Sequence, residues 1–465
     1  MAGIRTALSR TKLAIGAVLV VALLTPTTGA AVSAVPQSPA VTSGNAAMSG
    51  NAVVRWNETA ATAAIAATLA PTLNPLHESR MYAIMHIAIH DALNAISPRS
   101  RPYAFQGRAR HASPEAAIAA AARTSLVAAL TDLTPPFTDT QAAIAGVETA
   151  YTAALAAIPD STAKQEGIEL GKKSAYTILA KRADDRASTI LLIDSGFPQG
   201  VNPGEYRFTP GFPFAFAPTW GEVKPFALRS AGQFPVEPPF ALGSKRYTAD
   251  FNEVKRLGGD GITTPSARTA DETQMARFWV ESSPLLWNRL ARQLATTRHL
   301  DLWQSARLFG LLDMALTDGY ISTFDVKYKL LFWRPVTAIQ LAATDGNPNT
   351  AADPTWTPLV PTPPIPDHDS GHSVEGGAAA AVLRGFFKTD RMSFSLCSFT
   401  ALPGSTCTDA NPAIRHYTSF SQASNENAHS RILVGFHFKH ATTEGVKHGT
   451  KIGQLTVHSY LQPRH

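Results

Sequence analysis

Alanine-rich stretches at helical spacing, separated by proline breaks, dominate the first part of the chain, and this pattern leaves little choice of fold. Alanine is the strongest helix former, and its small side chain lets helix axes approach closely. The spacing predicts helices over 53–70, 77–97, 113–132, 139–158 and 161–182, with breaks at Pro135-Pro136 and Pro159-Asp160. Helical patterns return at 246–257, 270–282, 284–297, 299–319 and 321–344, from Ser370 to about Phe387, over roughly 423–439, and near 443–460. No strand alternation of any length stands out, and no repeat of fixed period appears. The expected class is all-α.

Two segments interrupt this pattern. Residues 197–241 hold nine of the 33 prolines and eight of the 22 phenylalanines. They are too proline-rich for regular helix and too apolar for a free linker. An ordered, irregular wrap over the bundle is expected, chiefly for packing. Residues 348–366 hold seven prolines and should form an extended loop.

Composition narrows the function classes. With 465 residues, 45% of them hydrophobic, the chain can bury a sizeable core, and 16% charged residues exclude charge-driven disorder. The net charge of +6 is mild and no Lys/Arg run occurs, so nucleic acid is not an expected partner. Two cysteines exclude a disulfide scaffold and a Cys-rich zinc module.

The start of the chain reads as a leader. Arg5, Arg10 and Lys12 precede the apolar run Leu13 to Leu24, and Val32-Ser33-Ala34 fits a cleavage site. Residues 1–34 are therefore expected to be a signal peptide, with an uncleaved anchor as the alternative. A flexible mature N-terminus would cover 35–52. A secreted protein with no membrane span in its mature form follows. Export would favour a Cys397–Cys407 bridge within SLCSFTALPGSTCTD, two free thiols being the alternative. The remaining chain divides into an N-terminal bundle with the Pro/Phe-rich wrap (53–241) and a C-terminal bundle (242–465).

Three segments of the C-terminal part concentrate polar chemistry. In Lys327-Tyr-Lys-Leu-Leu-Phe-Trp-Arg334-Pro335, seven residues span about two turns, so Lys327 and Arg334 are expected on one helical face. Two cations on an apolar helix need a balancing anion. Asp369-Ser370-Gly371-His372 follows the proline-rich loop and opens a helix, offering a hydroxyl, backbone N–H groups and a proton carrier. In Ser430-Arg431-Ile-Leu-Val-Gly435-Phe-His437, Ser430 and His437 again stand seven apart. Taken singly, each segment also reads as interfacial salt bridges or structural histidines. Together they form a cage for a tetrahedral oxyanion. His86 and His90, four apart beside Asp91, fit a metal pair by spacing, but structural hydrogen bonding is the preferred reading.

This ordered triple resembles the vanadium-dependent haloperoxidases and the acid phosphatases of the type 2 phosphatidic acid phosphatase superfamily. The motifs lie within 327–437, and weaker likeness covers most of the mature chain. The resemblance implies packed four-helix bundles with long irregular loops and the anion site in the C-terminal bundle. It implies that Lys327, Arg334, Ser370, Gly371 and Arg431 bind vanadate oxygens, that His437 ligates vanadium, and that His372 is the acid–base group. Phosphate would fit the same cage. Hydrogen peroxide, a halide and a small organic acceptor would be the reactants, and oligomers are possible. The alternatives are an acid phosphatase working through a phospho-histidine on His437, and a decayed anion-binding relative. Two positions depart from the family. Asp369 stands where proline is usual before Ser-Gly-His, and would tune His372 upward unless it turns away or pairs. Ala441 stands four after His437, where aspartate is common, which weakens the phosphatase reading unless His440 or Glu444 compensates. Phe324, three before the lysine, fits either a halide-pocket wall or ordinary core.

Overall fold

A computed structural model describes residues 50–133, 140–402, 407, 409 and 412–464. The expected leader, almost all of the flexible start and the Pro135-Pro136 break lie outside them. The all-α expectation holds, with thirteen α-helices among the described residues. The alanine-rich stretches form α1 (Ala52–Ala66), α2 (Pro75–Ile96), α3 (Pro114–Thr131), α4 (Thr140–Ala156) and α5 (Thr162–Arg182). Then come α6 (Lys245–Leu257), α7 (Ala270–Phe278), α8 (Ser283–Thr297), α9 (Leu302–Leu330) and α10 (Pro335–Gln340). The series ends with α11 (Gly371–Phe387), α12 (Phe420–Leu433) and α13 (Lys439–Ser459). Side chains cap many starts: Asn51 accepts from Val53 and Val54 N–H, and Thr269 and Glu272 cap α7 reciprocally. Pro75 and Pro114 open their helices, where a missing N–H costs nothing.

Three expectations fail locally. The 321–344 pattern is not one helix: α9 runs through to Leu330, and Leu331 turns left-handed at φ 47°. The 423–439 pattern ends at Leu433, and Gly435 reverses the chain at φ +85°. Strands also exist. β1 (Leu192–Ile193) pairs with β2 (Ala215–Phe216), and β3 (Arg391–Cys397) pairs antiparallel with β4 (Ile414–Ser419). In β3, Met392, Phe394 and Leu396 point inward in alternation. The hairpin ends at Cys397, which is disulfide-bonded to Cys407 (Cα–Cα 5.5 Å).

Residues 49–465 form one compact unit. α2 and α9 are buried along most of their length and pack on each other, while α11 lies against α9, α12 and α13. The Pro/Phe-rich segment is the ordered wrap expected. Asp318 of α9 anchors it by accepting the N–H groups of Phe226 (2.6 Å), Ala227 (2.6 Å) and Leu228 (2.7 Å). His86 and His90 are structural. His86 Nε2 lies 2.8 Å from the Asn57 amide, whereas His90 bridges Asp91 (2.8 Å) and Ser100 (2.7 Å). No helix among the described residues is long and apolar enough to cross a membrane.

α13 carries Gly445, Gly449 and Gly453 on one face, and there it meets α11 at backbone distance. A Cβ at Gly449 would lie 1.8 Å from the Val374 carbonyl oxygen, whereas one at Gly146 of α4 would meet nothing. Gly449→Ala should therefore destabilise by about 1–3 kcal/mol through overpacking. Gly146→Ala should be neutral or stabilising by up to about 1 kcal/mol. Denaturant unfolding of the two variants tests the contrast, and equal midpoints would refute it.

Several carboxyls are buried. Burial raises the Glu78 carboxyl to about 8 from the ordinary 4.5, opposed by its bond from the Ser282 hydroxyl. The folded chain thus holds a proton that the unfolded chain has released. This contribution to stability is complete below about 4.5 and is lost as pH rises through about 8. The Tm of the unaltered protein should fall across that window relative to Glu78→Gln. A constant Tm difference would disprove it.

Candidate active site

The kink after α9 builds the first half of the site. Leu331 ends α9, and Pro335 opens α10 with Arg334 as its N-cap. Lys327 and Arg334 therefore do not share a helical face, contrary to the spacing argument. The change of direction brings them together, and the wrap pins it: Tyr206 N–H donates to Leu331 O (2.7 Å), and Trp333 N–H to Gly204 O (2.9 Å). Both cations then rest on carbonyls of the proline-rich loop. Lys327 Nζ donates to Pro366 O and Asp367 O, each at 2.9 Å. Arg334 Nε donates to Ile365 O at 2.6 Å and its Nη1 to Phe436 O at 2.9 Å.

The second half comes from α11 and the turn after α12. Ser370 stands at the N-cap position of α11 without a side-chain capping bond, and Gly371 and His372 begin the helix. Ser373 Oγ donates to Ser370 Oγ (3.0 Å), leaving the Ser370 proton free to be donated elsewhere. Gly371 would place a Cβ in nearly open space, with only a Thr323 methyl at 3.9 Å. The Gly435 turn takes His437 off the helix that carries Ser430, correcting the shared-face expectation, and Ser430 Oγ is committed to Asn427 O (2.6 Å). Arg431 donates to Trp279 O (2.6 Å), stacks over Phe436 (4.9 Å) and keeps a buried Nε without a partner.

All seven residues singled out from the sequence meet at this locus. His437 feels Arg334, Lys327, Arg431 and His372, and Ser370 and Gly371 adjoin His372. Burial is the largest cause lowering Lys327 to about 7 and Arg431 to about 9, with Arg334 repelling both. Burial and the same cations hold both histidines well below the usual range, so both are neutral. Their tautomers follow from their partners. Arg334 Nη1 lies against the His437 ring, 2.9 Å from Nε2 and 3.4 Å from Nδ1, and the Asp367 carboxylate 2.8 Å from Nδ1 favours the proton on that nitrogen. His372 Nε2 faces the Glu281 carbonyl at 3.2 Å, so it donates and Nδ1 keeps the lone pair. The centre is thus rich in donors, with an orphaned Arg431 Nε–H and three buried cations near the single carboxyl of Asp367, 4.0 Å from Arg334. This donor set fits a tetrahedral oxyanion.

Residues 307–464, which carry every motif, match the family model of the VCPO second helical-bundle domain. A vanadium chloroperoxidase of Curvularia inaequalis is 25% identical over an alignment covering 79% of this chain and 75% of that one. Residues 307–464 thus match a domain of the vanadium chloroperoxidases, and the chain as a whole is similar to that family. Solved relatives share the fold. A bacterial vanadium-dependent iodoperoxidase superposes with a TM-score of 0.71 at 23% identity, covering 89% of this chain and 98% of its own. A holo-type bacterial vanadium-dependent chloroperoxidase gives 0.67 at 15% identity, covering 88% and 97%.

Against that family, both departures now have a physical account. Asp369 turns away from the cage. Its carboxylate accepts from Thr323 Oγ1 (2.5 Å) and meets His448 Nδ1 at 2.8 Å. Burial would raise it, but His448, His368 and Thr323 outweigh burial and hold it near 2. The expected upward tuning of His372 does not occur, because Asp369 is neutralised behind the cage while Arg431 pushes His372 down. Ala441 leaves His437 without the family's neighbouring carboxylate, and neither His440 nor Glu444 replaces it. His440 Nε2 faces Pro238 O (3.0 Å) and Glu444 pairs with Lys447 (2.7 Å). The carboxylate near His437 is Asp367, 2.8 Å from Nδ1, which sequence reasoning missed. Phe324 packs with Phe216 and Tyr328 in an apolar cluster.

Proposed function

We propose that this chain is an exported, vanadate-dependent haloperoxidase that oxidises halide with hydrogen peroxide and delivers the oxidised halogen to a small organic acceptor. The observation that carries this reading is one buried locus in which Lys327, Arg334 and Arg431 gather around His437 and His372. Lys327, Arg334, Arg431, the Ser370 hydroxyl and the Gly371 N–H would hold vanadate oxygens, and the His437 Nε2 lone pair would hold the metal. Bound vanadium supplies a Lewis acid for peroxide activation without changing its own oxidation state. His372 Nδ1 takes the peroxide proton and returns it to the departing oxygen. Lys327 stabilises negative charge on the oxygen passed to halide. Burial of the cage keeps bulk water from competing. Export rests on the leader-like segment 1–34, and a bonded Cys397–Cys407 pair suits an oxidising compartment.

A second reading keeps one observation in its favour. Asp367 beside His437 is the arrangement a histidine nucleophile needs in an acid phosphatase, with His372 protonating the leaving alcohol. Purified protein reconstituted with orthovanadate should oxidise bromide or iodide in a peroxide-dependent manner. Phosphoester hydrolysis inhibited by vanadate, without halide oxidation, would replace the first reading with the second. Oxyanion binding with neither activity would make the chain a decayed anion binder.

A further inference from the structure

We infer that Asp367 is the positioning carboxylate of His437, a duty moved from the chain position four residues after the histidine to the proline-rich loop before Ser-Gly-His. The inference rests on His437 facing the bound oxyanion, as proposed above.

Four observations carry it. Asp367 is fully buried, with its carboxylate 2.8 Å from His437 Nδ1. Neither carboxylate oxygen is held by a hydrogen bond from another side chain, His437 Nδ1 is the nearest side-chain nitrogen, and the next cation, Arg334 Nη1, is 4.0 Å away. Arg334 Nη1 lies 2.9 Å from Nε2 and 3.4 Å from Nδ1, against the ring, so the group that selects the tautomer is the Asp367 carboxylate, an acceptor 2.8 Å from Nδ1. Finally, Asp367 and Ala441 line the same small cavity, of about 10 Å³, together with His368, Phe438 and His440. Positions 367 and 441 therefore stand on two walls of one cavity, and a side chain at either can enter it.

The physical consequence is specific. A carboxylate on Nδ1 fixes the ring orientation and the tautomer, and it makes Nε2 a better donor to an electrophilic centre. Asp367 has a second tie to the cage, because its own carbonyl receives one Lys327 N–H. One residue therefore sets the direction of the histidine and of the lysine. The backbone half of this arrangement survives any side-chain change, so substitution isolates the carboxylate.

The test begins with the unaltered protein free of oxyanion. Long-range ¹H–¹⁵N spectra should give His437 as the Nδ1–H tautomer, and an Nε2–H tautomer would overturn the inference. Asp367→Asn, which keeps shape and removes charge, should lower vanadate affinity by calorimetry about 10–100-fold. Asp367→Ala should do the same and shift His437 toward the other tautomer. Restoring a carboxylate at the other wall, in Asp367→Ala/Ala441→Asp, should recover most of the affinity and the original tautomer. A purely structural role for Asp367 predicts no such rescue. Affinity within about threefold in the folded Asn variant, with an unchanged tautomer, would also overturn it. If the unaltered protein binds neither vanadate nor inorganic phosphate, the functional reading falls, while the spectra still decide the role of Asp367.

Discussion

Replacing His437 by alanine should leave a folded protein that no longer retains vanadate. His437 is the imidazole that lies directly against a cage cation, with Arg334 Nη1 2.9 Å from its Nε2. Without the ring the cage keeps its three cations and loses its one donor to the metal. Breaking this buried contact also strands Asp367 beside Arg334, which already stands within 4.0 Å. Loss of a ligand's hydrogen-bond partner alone lowers metal affinity about 10–100-fold, so loss of the ligand itself should lower vanadate affinity at least about 100-fold. Inorganic phosphate, held by the cations alone, should lose no more than about tenfold on the same scale. Calorimetry with both anions on the variant, beside circular dichroism for folding, reads the contrast. Vanadate held as tightly as by the unaltered protein would remove His437 from its proposed role.

His372→Ala should give the opposite division. The ring reaches the site from the first turn of α11, with its Nε2 turned to the Glu281 carbonyl at 3.2 Å. It holds no cage cation in place, so vanadate affinity should change less than about threefold. Turnover should fall about 10²–10⁴-fold, the usual worth of a positioned acid–base group. The loss should appear in kcat more than in KM. A variant with unchanged kcat would mean that another group moves the proton.

How much of this was legible beforehand depended on the distance over which each signal acts. The helices were readable because alanine spacing, Asn51, Ser113, Ser161 and Thr269 at the starts, and proline at the first helical position are local signals. The two turns were misjudged for one reason: a spacing of seven also suits a continuous helix. The correcting signals were present. Arg334 precedes a proline, which disfavours helix at that residue, and Gly435 is the type of residue that ends one. The β3 alternation is only seven residues long and sits in an otherwise helical chain. Asp367 carried no local signal at all, because its partner lies 70 residues further on and nothing in PDHDSGH distinguishes it from Asp369. Only the fold separates the two: one points at His437, the other at His448.

The carbonyls of Ile365, Pro366 and Asp367 that seat Arg334 and Lys327 have one more consequence. A carbonyl oxygen belongs to every amino acid, so two of the three cations are seated by something no point substitution at 365 or 366 can delete. What does matter is arc length. Adding or removing a single residue between Trp356 and Ser370 would slide the row of acceptors by one step, leaving each cation opposite the wrong oxygen. In that stretch the chain stores its information as a count of residues, and their identities are comparatively free to vary.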